Sequence, residues 1–218
     1  MPLEQYHRYY NHPEGKWIIS WDDCERLQGY VREYKPKEIL DLGSGIGAST
    51  YILAEASEDG KILAIEQSEK CIRVAKELMP SQFLSRITFE HHPAIVFQID
   101  KMPFEYFSGF QDLPQGDWDM VIIDGPGFFI SNGLLVKITN GDIFKLIQKM
   151  KEGCIVYIDG RKDTVAYLRR YIIHYFDVLG VDNDLQKGWV ALRRNKVPYQ
   201  GIIDWVYQNV KKTVYFNE

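Results

Sequence analysis

Cysteine is scarce in this chain: Cys24, Cys71 and Cys154 are the three it has, far apart and with no C-x-x-C pair. An odd, scattered set excludes a disulfide framework and a thiolate zinc site, so buried thiols are expected. Long apolar stretches are lacking as well. Runs such as residues 120–123 and 155–158 fall far short of the ~20 residues that span a bilayer. Residues 1–11 are polar and tyrosine-rich, without the apolar centre of a secretory signal, and the expected compartment is the cytoplasm. There is no surplus of positive charge, because 26 Lys and Arg face 30 Asp and Glu for a net −4. Nothing therefore gathers polyanions over the whole surface, and nucleic acid is not the expected partner. The pairs Arg169-Arg170 and Arg193-Arg194, the latter with Lys196, read as a solvated helix face and a strand end. No repeat or low-complexity segment is present, which removes solenoids and propellers. With 45% hydrophobic and 26% charged residues in 218, the chain has the composition and size of one soluble α/β domain.

Within that length, strand and helix patterns alternate. Residues 37–41 (KEILD) form a short apolar strand and 48–56 a helix. Residues 61–66 (KILAIE) form a second strand, and 68–79 a helix capped by Ser68 and stopped before Pro80. Further strands are expected at 86–90, 118–124 and 153–159, with helices at 142–150 and 163–174. The segments 175–181 and 188–193 then make a hairpin around the turn-rich 182–187. The fold class is thus α/β: a doubly wound, Rossmann-like, seven-stranded sheet, mostly parallel, with one antiparallel strand in a C-terminal hairpin. The whole of 1–218 reads as a single domain with its core at 36–194. Residues 1–35 are a cover segment whose helix starts near Ser20, with Asp22 and Asp23 at the positive end of its dipole. Residues 195–218, with Ile202, Ile203, Trp205, Val206 and Val210 at amphipathic spacing, are expected to be a helical extension. That extension closes the domain or, as the alternative, meets a second subunit in a homodimer.

The strongest chemical signal lies between the first strand and the first helix of the core, at Asp41-Leu42-Gly43-Ser44-Gly45-Ile46-Gly47. Glycines there allow a sharp bend and close approach of a ligand, and the helix N-terminus offers free N–H groups to its anionic part. Ser49 adds a hydroxyl. Glu66, nineteen residues after Gly47 and at the end of the second strand, stands where a carboxylate accepts the hydroxyl protons of a ribose. Gly43, Gly45 and Ala48 also satisfy the dinucleotide pattern G-x-G-x-x-G/A. Asp41, however, would repel a pyrophosphate and attract a cationic amino group, which favours a ligand with an amino-acid moiety.

The sequence hydrophobic-x-D-x-G-x-G-x-G, the acid that ends strand two and D-M-V-I-I-D at the end of strand four resemble class I S-adenosylmethionine-dependent methyltransferases, over roughly residues 20–194. The resemblance implies S-adenosylmethionine as cofactor, with Gly43, Ser44, Gly45 and Gly47 lining its methionine moiety. It also implies Ser49 at the carboxylate, Asp41 near the amino end, Glu66 on the ribose and Gln67 beside the adenine. Where the family often has an acidic or polar residue for the adenine edge, this chain has Glu90-His91-His92-Pro93-Ala94. His92 is assigned to that edge, with His91 as the alternative.

Ligands of open α/β sheets collect at the carboxyl ends of the strands, so Asp124 and Asp159 are expected to face one crevice. Asp124 reads as the catalytic residue, acting as general base or as a polar anchor beside the sulfonium of the cofactor. In small-molecule O-methyltransferases similar to the catechol and caffeoyl-coenzyme A enzymes, acids at these two strand ends bind a divalent cation. Asp124 and Asp159 match as ligands for Mg²⁺, while Gly160 stands where those enzymes have a third. The absence of an N-P-P-Y or D-P-P-Y loop disfavours a base nitrogen as acceptor, and the absence of a Pro-Cys nucleophile excludes cytosine C5 chemistry. The expected acceptor is an oxygen of a small molecule or glycan. The aromatics of 96–115 (Phe97, Phe104, Tyr106, Phe107 and Phe110) form either satellite core or an acceptor wall. Two other functions share the nucleoside site: an NAD(P)-dependent oxidoreductase, and a non-catalytic binding module.

Overall fold

A computed structural model describes residues 3–98, 106–114, 116–125, 129–131, 134–136, 138–159, 163–166, 172–182, 188–197 and 213–215. The first half of the chain runs α1 (Leu3–Tyr10), α2 (Trp21–Tyr34), β1 (Glu38–Leu42), α3 (Ala48–Ala56), β2 (Lys61–Glu66), α4 (Glu69–Leu78), α5 (Ser81–Leu84), β3 (Ile87–His91), β4 (Ala94–Gln98) and β5 (Tyr106–Phe110). The second half runs β6 (Met120–Ile123), β7 (Phe129–Ser131), β8 (Leu134–Val136), β9 (Thr139–Asn140), α6 (Asp142–Leu146), β10 (Ile155–Ile158), β11 (Phe176–Val181), β12 (Val190–Arg194) and β13 (Thr213–Tyr215). Residues 163–166 are helical.

Seven strands form the main sheet in the order β11-β12-β10-β6-β1-β2-β3. β12 runs antiparallel to both of its neighbours, and β10, β6, β1, β2 and β3 are mutually parallel. The expected single reversed strand is therefore present in the terminal hairpin. Period-two alternation sorts the buried side chains onto two faces. Ile39, Met120, Ile122, Ile155 and Tyr157 pack with Leu27 and Val31 of α2 and Ile52 and Leu53 of α3. Leu40, Leu42, Val121, Ile123, Val156 and Ile158 pack with Phe107, Phe110, Phe144 and Ile147 on the other side. Helix starts follow the sequence signals: Ser20 caps α2 by accepting from Asp23 N, and Ser68 caps α4 by accepting from Cys71 N.

Register places the working end of the sheet. Leu42 is level with Ile65 of β2 and Ile123 of β6, and Ile123 is level with Ile158 of β10. Consequently Gly43, Glu66, Asp124 and Asp159 stand along one rim at the carboxyl ends of adjacent strands.

Several expectations need correction. Residues 94–98 and 106–110 form two strands of a second, four-stranded sheet in the order β13-β4-β5-β9. Phe97, Phe107 and Phe110 are buried in its shared core, so these three are satellite core and not an acceptor wall; Tyr106 is exposed and Phe104 lies outside the described residues. Of the expected C-terminal helix, residues 213–215 are instead a strand paired antiparallel to Ile95–Phe97, and 198–212 lie outside the described residues. The helix expected at 142–150 is α6 continued by a 3₁₀ turn, Ile147–Lys149. The helix expected at 163–174 is described only at 163–166, and Ile173–Tyr175 is a 3₁₀ turn. Arg194 is buried, donating to Tyr175 O at 3.1 Å and Val197 O at 3.1 Å, whereas Arg193 is exposed and pairs with Asp177. Arg169 and Arg170 lie outside the described residues. Cys24 and Cys154 are buried and Cys71 is half-buried. Among the described residues, no helix is long and apolar enough to cross a membrane.

Candidate active site

The glycine turn is held by main-chain bonds to the neighbouring strand: Gly43 N and Ser44 N both donate to Ile65 O, at 2.9 and 3.2 Å. Gly43, Gly45 and Gly47 have φ of +86°, +53° and +88°, the left-handed region that side chains rarely adopt. Two of them are also packed. A Cβ on Gly43 would lie 2.0 Å from Gly125 Cα, and one on Gly47 would lie 3.0 Å from Ala75 Cβ of α4. Gly45 differs, because a Cβ there meets nothing within 4 Å. The crest of the turn thus borders open space.

Glu66 orders that crest. Its Oε2 accepts from Gly45 N at 2.8 Å and its Oε1 from Ser68 N at 3.0 Å. Burial pushes its carboxyl above the usual range, against the pull of these backbone donors. Asp41 is fully buried. Its Oδ2 accepts from Thr50 Oγ1 at 2.7 Å and Ser49 Oγ at 2.9 Å. Burial pushes the Asp41 carboxyl up to about 6, with the two hydroxyls holding it back. The single proton of the Ser49 hydroxyl is thus spent on Asp41. Thr50 was not singled out from sequence; the signal available was two hydroxyls opening an otherwise apolar helix.

Three buried polar atoms around this turn have no hydrogen-bond partner among the described residues: Asp41 Oδ1, Ser44 Oγ and Gln67 Oε1. Leaving a buried polar atom unsatisfied costs ~1–3 kcal/mol, so three at the crests of two adjacent strands mark a place built for a polar ligand. Their chemistry fits a nucleoside with a cationic amino group: an acceptor for the ammonium at Asp41, and remaining carboxylate lone pairs at Glu66 for sugar hydroxyls. The two histidines are engaged with protein. His91 Nε2 lies 2.9 Å from Gln67 O, while His92 has Nδ1 2.7 Å from Asp112 O and Nε2 2.9 Å from Glu90 Oε2.

Asp124 N and Gly125 N both donate to Leu42 O, at 2.9 and 2.7 Å, and Asp159 N donates to Ile123 O at 3.3 Å. The two acids therefore leave adjacent strands at the same height, Asp124 half-buried and Asp159 buried. Burial, then the charges of Asp23 and Asp159, pushes the Cys24 thiol up to about 12, so this cysteine is an inert packing group. Among the described residues, no group of three His, Cys, Asp or Glu side chains converges on one point.

Residues 34–125 match the family model described as a methyltransferase domain. The solved structures similar to this chain include the SAH-bound methyltransferase of Podospora anserina, 17% identical with TM-score 0.61 over 89% of this chain and 87% of that one. They also include the O-methyltransferase of Bacillus cereus in complex with SAH, 16% identical with TM-score 0.56 over 88% and 89%. A third is the O-methyltransferase TomG of Streptomyces achromogenes in complex with SAM, 16% identical with TM-score 0.54 over 88% and 86%. No curated protein sequence matches the chain. The fold is the Rossmann-like fold of these methyltransferases, and the matched segment carries the glycine turn, Glu66 and the fourth strand of the parallel core.

Proposed function

We propose that the chain is an S-adenosylmethionine-dependent methyltransferase acting on an oxygen of a small molecule or sugar. The observation that carries this reading is the set of unpartnered buried atoms, Asp41 Oδ1, Ser44 Oγ and Gln67 Oε1, around the open crest at Gly45. The similar structures with SAH or SAM bound, two of them O-methyltransferases, support the same donor and an oxygen acceptor. Two features weigh against a nicotinamide dinucleotide: Asp41 beside the turn repels a pyrophosphate, and the sheet ends in an antiparallel hairpin.

In this reading Gly43, Ser44, Gly45 and Gly47 shape the methionine end, and Asp41 takes the ammonium on its unpaired oxygen. Ser49 and Thr50 act through Asp41, holding its other oxygen. Glu66 accepts from the ribose hydroxyls. Gln67 accepts at the adenine, and His92, with both nitrogens engaged, closes that end by contact. The bound donor supplies an activated methyl on its sulfonium. Asp124 then works at the acceptor, taking the hydroxyl proton as the new O–C bond forms and the C–S bond breaks. Asp124 and Asp159 offer hard oxygen donors that suit Mg²⁺, which would acidify the acceptor hydroxyl.

Titration calorimetry of the full chain decides the donor. Heat of binding is expected with S-adenosylmethionine and S-adenosylhomocysteine and none with NAD⁺; the reverse pattern would overturn the reading.

A further inference from the structure

Asn140 is fully buried and joins the two segments that carry the strand-end acids. Its side-chain Nδ2 donates to Gly125 O, the carbonyl of the residue after Asp124, and to Asp142 Oδ2 at 3.1 Å. Its Oδ1 accepts from Asp142 N at 2.8 Å, and its backbone N donates to Thr164 Oγ1 at 3.0 Å, in the helical segment that follows Asp159. Asp142 is itself fully buried and anchored to the second sheet. It accepts from Phe110 N at 3.1 and 3.2 Å and from Lys145 Nζ at 3.3 Å, while Lys145 Nζ also donates to Phe110 O at 2.8 Å. A Cβ on Gly109 would lie 2.3 Å from Asp142 Oδ1, so a glycine is what lets β5 come this close.

The geometry is that of a two-sided clamp on one residue, Gly125, whose N–H and C=O belong to the two consecutive peptides that flank its Cα. Gly125 N is held from β1 by Leu42 O at 2.7 Å, and Gly125 O is held from the second sheet by Asn140. Both amide protons of Asn140 and its oxygen are used. A buried polar network is costly to build and gains its advantage over apolar packing by fixing one arrangement. We propose that Asn140 is a positioning residue for the methyl transfer proposed above: it fixes Gly125 from its carbonyl side, and through that residue the Asp124 carboxylate at the sulfonium end of the donor. The inference rests on that reading.

The donor and its spent form separate positioning from mere support, because S-adenosylmethionine carries the sulfonium charge and S-adenosylhomocysteine does not. With Asp124 fixed near the sulfonium, the wild-type chain prefers the charged ligand, and Asp124→Asn sets the level without that preference. Asn140→Ala is expected to lower the preference at least fivefold toward the Asp124→Asn level, with S-adenosylhomocysteine affinity within twofold of wild type. A parallel loss for both ligands, or no loss for either, would overturn the proposal. Should Asn140→Ala fail to fold, Thr164→Val removes the acceptor of its backbone N–H and is expected to act in the same direction, with Thr164→Ser restoring the wild-type ratio. Amide hydrogen exchange gives a readout that needs no donor. Asp124 and Gly125 should exchange at least tenfold faster in the variant while Gly43 and Ser44, held by Ile65 O, stay unchanged; equal rates at Asp124 and Gly125 would overturn the clamp. A wild-type chain that binds neither ligand fails the methyltransferase reading, and with it Asn140's role in methyl transfer, whatever the exchange rates.

Discussion

Gly43 and Gly125 touch backbone to backbone: a Cβ on Gly125 would stand 2.2 Å from Gly43 Cα, and one on Gly43 2.0 Å from Gly125 Cα. The turn after β1 and the segment after β6 are therefore in direct backbone contact, with no room for a side chain at either position. Gly43→Ala combines a clash with a left-handed φ of +86°, and a loss of ~2–4 kcal/mol of stability is expected in denaturant unfolding. Gly45→Ala meets no neighbour within 4 Å and should cost ~1 kcal/mol, yet it fills the crest and should abolish the binding heat of S-adenosylhomocysteine. Equal effects of the two variants on stability and affinity would contradict this division of labour.

Asp41 gives a pH dependence whose sign follows from its burial. Its carboxyl rises from 3.8 to about 6 on folding, so the folded chain holds a proton that the unfolded chain has released. The ligand-free protein should lose stability from this group as pH rises from about 4 to about 6, and stay level above that. Donor binding runs the other way. An ammonium beside Asp41 favours the ionised carboxylate, so affinity should fall about tenfold between pH 7 and pH 5, with proton release on binding near pH 6. Calorimetry in two buffers of different ionisation enthalpy checks both points.

Glu66→Ala should weaken S-adenosylmethionine by ~1–3 kcal/mol through the lost ribose contacts. Part of that loss reaches the crest, since Gly45 N and Ser68 N lose their acceptor. Glu66→Gln retains one acceptor and should fall between wild type and Ala. Unchanged affinity in Glu66→Ala would remove the ribose assignment.

The divalent cation is tested without an acceptor substrate. Mn²⁺ as a paramagnetic substitute for Mg²⁺ should broaden the amide signals of Asp124 and Gly125 in the wild-type chain, and a chelator should restore them. Asp159→Asn should shift the broadening to higher Mn²⁺ concentration. Indifference of these signals to Mn²⁺ would remove the metal.

The parallel core was legible because its signals are local. Ser68 and Pro80 bracket α4, apolar runs mark β6 and β10, and the turn-rich segment at 182–187 announces the hairpin. Glu66 was legible for the same reason, being the last residue of its strand. The second sheet was not. Its strands β4 and β5 mix aromatic, small and polar residues, and their partners β9 and β13 come from distant segments, so no window of sequence contains the pairing. Asn140 and Asp142 were hidden likewise, because their meaning lies in contacts with Gly125, Thr164 and Phe110. The partner of Asp41 at Thr50 needed the helix to start before the hydroxyl had a direction.

The pairing of β13 with β4 also bears on how the molecule is made. Translation finishes β4 long before Thr213–Tyr215 leaves the ribosome, and until then Ile95–Phe97 has an unpaired flank. The nascent chain therefore carries an uncovered strand edge from the completion of β4 until β13 emerges, a surface on which neighbouring chains or a chaperone compete with the native partner. Completion of the second sheet waits on β13, and expression at slower synthesis rates lengthens the vulnerable interval instead of shortening it.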